Sequence, residues 1–106
     1  MEELKTLVSL LVETELVNAN KKFCPIFHSE HEAYSILKEE VEEAADELEE
    51  VQDQLKYMWD GIKRNNSTVY TTEIAKRMKT YAINLSAESI QIGAMCEKFI
   101  NSFETK

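Results

Sequence analysis

Two glycines and one proline in 106 residues are too few for a fold built on turns. Those residues punctuate hairpins and loops, so their scarcity excludes a sheet-rich domain and leaves long helices. Cysteine is almost as scarce. Cys24 and Cys96 stand far apart and belong to no CxxC or Cys/His pattern, which excludes a thiolate metal site and a disulfide framework. They read as two reduced thiols packed inside a cytosolic protein. Positive charge is also short: 12 Lys and Arg face 20 Asp and Glu, a net charge of −8. A nucleic-acid-binding surface normally carries a basic stripe, and none is present. No apolar run approaches the length of a membrane span. The beginning of the chain, with Glu2 and Glu3 before residues 7–12, lacks the basic segment and small-residue cleavage site of a signal peptide. The expected location is cytoplasmic, with neither nucleic acid nor membrane as a partner.

What is abundant is heptad periodicity, and three helices account for nearly all of a single domain over residues 1–106. The first is expected from about Glu2 to Lys22, with an apolar stripe of Leu4, Leu7, Val8, Leu11, Val12 and Leu16. Pro25 disfavours helix at Cys24 and ends it. The second opens on a capping box, Ser29 with Glu32 three residues on. Its expected seam is Leu37, Val41, Ala44, Leu48, Val51, Leu55, Met58 and Ile62, closed by the polar turn Asn65-Asn66-Ser67 after Gly61 and Lys63-Arg64. Such a helix is roughly 50 Å long, more than a compact monomer of this size needs. The third is expected from Thr71 or Thr72 to about Phe103. The fold class is therefore all-α, with long antiparallel helices forming a bundle. Three helices cannot enclose a full core alone, so a second chain is expected to complete it, as a homodimer or homotetramer.

One residue breaks the third seam. Ile74, Met78, Tyr81, Leu85, Glu88, Ile92, Met95 and Phe99 alternate steps of four and three, and every member but Glu88 is apolar or aromatic. A carboxylate there needs a cation or a proton, because burying it bare is very unfavourable. Asn84 and Gln91 extend a polar stripe to either side. On the second helix Glu40 and Glu43 are three residues apart on one face, Glu47 continues their stripe, and Glu39 and Glu42 lean toward solvent. Two plain readings stand beside a site: the acidic run as a solvated helix face, and Glu88 as a polar residue that fixes register. Taken together, Glu40, Glu43 and Glu88 point to an all-oxygen site for Mg²⁺ or Mn²⁺, hard cations that prefer carboxylate and water.

These residues carry a resemblance. Glu39-Glu40-Val41-Glu42-Glu43 matches the EExxE element of the MazG-like all-α nucleoside triphosphate pyrophosphohydrolases, and Glu88-Ser89-Ile90-Gln91 stands where that family has ExxD. Residues 19–23, 28–34, 58–63 and 88–95 look like its small bacteriophage and prophage branch. The resemblance implies hydrolysis of a nucleoside triphosphate between the α and β phosphates, giving the monophosphate and pyrophosphate. It further implies Mg²⁺ on Glu40, Glu43, Glu88 and Gln91, with Glu39 as a second-metal ligand or as the base that orients water. Gln91 departs from the motif's Asp: an amide offers a neutral oxygen and removes one charge.

A metal would neutralise phosphate charge and activate water, and a spare carboxylate, Glu39 or Glu47, could accept the proton. Basic partners for phosphate are sought among Lys56, Lys63, Arg64, Lys76, Arg77 and Lys79. His28 and His31 read as surface or capping residues, since a metal pair there lacks a third ligand. Tyr34, Tyr57, Trp59 and Tyr81 read as bundle core, with base stacking the alternative; Met58, Met78 and Met95 read as core. Two rivals to the enzyme stay open. One is a non-catalytic binding or regulatory protein that keeps the fold, for which Gln91 speaks; the other is a structural helical oligomer.

Overall fold

The computed structural model describes residues 1–104 and contains α1 (Glu2–Lys22), α2 (Glu30–Lys63) and α3 (Thr68–Phe103). The fold is all-α, and among the described residues there is no strand and no helix long and apolar enough to cross a membrane.

Each helix ends for a local reason. α1 stops as Phe23 turns extended, φ −130° and ψ 170°, its N–H still bonded to the Ala19 carbonyl. Ser29 Oγ accepts the Glu32 N–H at 3.1 Å, and the Glu32 carboxylate accepts the His28 N–H at 3.2 Å, so the expected box closes one residue further out. At the other end of α2, Asn65 adopts φ 55°. The Asn65 N–H reaches the Ile62 carbonyl and the Asn66 N–H reaches that of Gly61, the paired bonds of a Schellman ending with Asn in the left-handed position. α3 begins at Thr68, ahead of the Thr71 or Thr72 expected. Ser67, read from sequence as part of the turn, is its cap and accepts the Tyr70 N–H at 3.4 Å.

The described chain gathers into two compact units, residues 1–41 with 88–104, and residues 42–87. In the first, Phe27, Ala33, Ala94 and Met95 are buried, with Val12, Leu16, Ala19, Ile36, Leu37, Phe99 and Phe103 packed around them. The start of α2 opposes the end of α3: the Phe27 N–H donates to Ser102 Oγ at 2.9 Å, and Ser102 donates in turn to the Lys98 carbonyl at 2.7 Å. α1 packs on α3, approaching closely at Gly93. A Cβ there would lie 2.9 Å from Val12 Cγ2, so the close approach needs glycine. In the second unit α2 and α3 form a helical hairpin around buried Ala44, Gln54, Gly61 and Ile74.

The seam expected for α2 holds at half of its positions and is corrected at the other half. Its covered face runs Ala33, Leu37, Glu40, Ala44, Glu47, Val51, Gln54, Met58 and Gly61, all buried or half-buried. Val41, Leu48, Leu55 and Ile62, assigned to the seam from the pattern, are exposed, as is Tyr34 one heptad earlier. Leu37, Ala44, Val51 and Met58 of the expected seam lie on the covered face; the apolar band of α2 is wider than that face, which takes in Glu40, Glu47 and Gln54 on one side and leaves Val41, Leu48, Leu55 and Ile62 outside on the other. α1 behaves similarly: Val12 and Leu16 pack, while Leu4, Leu7, Val8 and Leu11 are exposed. The α3 seam, by contrast, is covered throughout from Ile74 to Phe99.

Candidate metal centre and adjoining cavity

The inward turn of α2's polar edge gives Glu40 its position. Glu40 is half-buried, Glu43 follows one turn later and is exposed, and Glu88 on α3 is half-buried with Oε2 shut off from solvent. One carboxylate oxygen from each lies within 4.8 Å of the others. An ion bound at about 2.0–2.2 Å from each oxygen spans oxygen pairs up to about 4.4 Å apart, so small side-chain rotations would close the set on one cation. Three like charges this close repel unless something positive joins them. The donor set, carboxylates only, suits a hard divalent ion. Glu39 is exposed, one residue before Glu40 on α2.

Gln91 is half-buried and points its amide at another partner: Nε2 donates to Glu15 Oε1 of α1 at 2.8 Å. Glu15 is a residue that sequence reasoning passed over, because no motif or seam position marks it. Asn84 is exposed and its Nδ2 lies 3.5 Å from Glu47 Oε2. Asn84 and Gln91, on either side of Glu88 in the polar stripe of α3, thus each donate to a different glutamate.

Within the first unit a cavity of about 510 Å³ opens beside Glu40, a volume in the range that holds small ligands. Glu15, Gln91 and Glu40 line it, as do Lys22, Glu32 and Lys98. Lys98 is only 6% exposed. Its Nζ lies 4.5 Å from the centre of the Phe27 ring, and among the described residues no carboxylate forms an ion pair with it.

Lys98 also escaped the sequence reading, although it follows Gln91 by seven residues and shares its face of α3. The basic residues sought instead, Lys56, Lys63, Arg64, Lys76, Arg77 and Lys79, do not line this cavity, and all six are exposed. Lys63 pairs with Asp60 at 3.4 Å and sits over the Trp59 ring, and Lys76 pairs with Glu73 at 3.0 Å.

Two expectations about packing are corrected. Cys24 and Cys96 are free but exposed rather than packed, since one lies in the connection after α1 and the other off the α3 seam. Tyr34, Tyr57 and Trp59 are exposed rather than core, on faces of α2 that neither neighbouring helix covers, while Tyr81 is half-buried. Met95 is buried and Met58 and Met78 are half-buried, in keeping with core roles. His28 and His31 are exposed at the start of α2.

Comparison of the chain with protein-family models, curated proteins and solved structures returns no match.

Proposed function

We propose that this protein is a Mg²⁺-dependent nucleoside triphosphate pyrophosphohydrolase of the MazG-like all-α type, acting in the cytoplasm as a homodimer or homotetramer. The observation that carries the proposal is the meeting of Glu40, Glu43 and Glu88, whose carboxylate oxygens approach within 4.8 Å from two helices. The EExxE element and the partial ExxD element supply the reaction class by resemblance.

Glu40, Glu43 and Glu88 would hold the ion, with the Gln91 carbonyl oxygen as a neutral donor. Bound Mg²⁺, or Mn²⁺ in its place, supplies charge neutralisation for the phosphates and lowers the pKa of a coordinated water. Glu39, exposed and next to Glu40 in sequence, would take the proton from the water that attacks the α-phosphorus. The bond from that phosphorus to the α–β bridging oxygen breaks, and pyrophosphate leaves. The adjoining cavity supports a substrate of nucleotide size.

The oligomer is supported by the outward row Tyr34, Val41, Leu48, Leu55 and Ile62, spaced by heptads along α2 and exposed to solvent. A second chain that covers this row would complete the bundle in the manner of a coiled-coil seam.

A non-catalytic regulatory protein is the second reading, favoured by Gln91, which carries no charge and donates its amide to Glu15. Pyrophosphate release from a panel of ribo- and deoxyribonucleoside triphosphates, with Mg²⁺ or Mn²⁺, separates the two. Turnover of at least one triphosphate supports the enzyme. Metal-dependent thermal stabilisation without any pyrophosphate release supports the regulator. Absence of both removes the metal site and the enzyme together.

A further inference from the structure

We infer that Lys98 is a phosphoryl-binding residue of the cavity beside the glutamate cluster, its ammonium accepted by an oxygen of a polyphosphate ligand that extends toward Glu40. The inference rests on the metal-assisted phosphate chemistry proposed above and assigns a group that neither the motif nor the acidic cluster contains.

An ammonium at the wall of a cavity keeps some contact with water, and an anion that displaces this water supplies charge and acceptors for its N–H donors. Lys98 is 6% exposed, yet the described residues offer it the face of Phe27 and no carboxylate. A ring face attracts a cation but neither neutralises it nor accepts all its hydrogens. Glu32, the carboxylate that lines the cavity from the start of α2, is turned to the His28 N–H. Lys98 also lines the cavity, so a ligand that enters can supply the missing oxygen. Phe27 is itself fixed by the Ser102 hydroxyl, which also bonds the Lys98 carbonyl.

The lining joins both charges: Glu15, Glu32 and Glu40 share it with Lys22 and Lys98. Gln91 and Lys98 are seven residues apart on α3, about 10 Å along the axis. An extended chain of phosphates can span such a distance and one small anion cannot: one end would share a divalent ion with the glutamates and the other would meet Lys98. The phosphate chain can be the tail of a nucleoside triphosphate or an inorganic polyphosphate; both present the same oxygens.

The test is calorimetric titration of the full chain with inorganic tripolyphosphate, with Mn²⁺ and separately with chelator. Wild type is expected to bind, and Lys98→Met, which keeps a long apolar stem against Phe27, is expected to bind about tenfold more weakly or worse. The Lys98 Cε resonance of wild-type protein should shift on tripolyphosphate addition, a readout that needs no folded variant. Failure of wild type to bind tripolyphosphate, equal affinity in Lys98→Met, or an unmoved Lys98 resonance each overturns the inference. Mn²⁺ affinity is read in parallel: retained in Lys98→Met and lost in Glu40→Gln under the proposed function. Loss of the metal site with Lys98-dependent anion binding intact would defeat that function and leave the anion site standing. Competition by nucleoside triphosphates identifies the bound chemistry as a nucleotide tail, and its absence identifies an inorganic polyanion; Lys98 dependence supports the inference in either arm.

Discussion

Glu88 occupies a position that Leu85 and Ile92 fill with hydrocarbon on the turns before and after it, and its carboxylate meets those of Glu40 and Glu43. The misfit with its own seam made Glu88 visible in the sequence, and the EExxE run marked its partners. Glu40→Gln or Glu43→Gln should abolish pyrophosphate release while leaving helicity by circular dichroism unchanged, because each removes a charge without altering shape. Unchanged rates in either variant would remove that residue from the site. Gln91→Asp carries two expectations. Mn²⁺ affinity should rise as a third charge from α3 and α2 becomes a fourth, whereas metal-free stability should fall by about 1 kcal/mol as the donor to Glu15 is lost and a like charge takes its place. Melts with and without Mn²⁺ read both; equal or weaker metal affinity would put position 91 outside the ligand set. Glu15 and Lys98 were not legible because nothing local distinguishes them from the other charged residues of an amphipathic helix. Their roles come from what the opposite helix presents.

At the scale of elements, the helix boundaries were largely readable because caps are local chemistry. Ser29 with Glu32 and Pro25 fixed two of them within a residue. The start of α3 was displaced because Ser67 serves both as a turn residue and as a cap, and only the bond to the Tyr70 N–H decides between the two. Asn65 gives this scale its prediction. At φ 55° a residue with a Cβ is strained and glycine is not. Asn65→Ala should lower unfolding free energy by about 1 kcal/mol and Asn65→Gly should hold or raise it, measured by urea denaturation. A harmless alanine would mean that the Schellman ending contributes nothing to the α2–α3 connection. Which face of α2 turns inward was readable only in part. Hydrophobic periodicity placed Leu37, Ala44, Val51 and Met58 inward together with Val41, Leu48, Leu55 and Ile62, whereas Glu40, Glu47 and Gln54 take the covered side in place of the second set.

For the whole molecule, the same shift leaves much apolar side-chain surface in water. Leu48 and Leu55 on α2 are exposed, as are Leu4, Leu7, Leu10 and Leu11 on α1. Exposed apolar patches of that extent mark interaction surfaces, and the heptad spacing on α2 matches a helix-to-helix seam between two copies. Leu48→Glu combined with Leu55→Glu should convert the proposed oligomer to monomer by light scattering coupled to gel filtration. The pair should not disturb the interior of the chain, since both side chains already face solvent. A wild-type chain that elutes as a monomer at micromolar concentration would defeat the oligomer, and with it the coiled-coil role of this row.

The sequence by itself determined that the chain is helical, where its helices begin and end to within a few residues, and which carboxylates are set apart from the ordinary charged surface. Those are properties of single residues and of spacing along one axis: propensity, capping and the 3.6-residue turn act within a segment. The tertiary structure decided which edge of α2 is covered, that Glu15 meets Gln91, and that Lys98 lies buried on Phe27 beside a cavity. Periodicity gives the angle of a side chain around its own helix and is silent about what approaches from outside. Burial, pairing and charge compensation belong to two helices at once, so they came into being only when the helices packed.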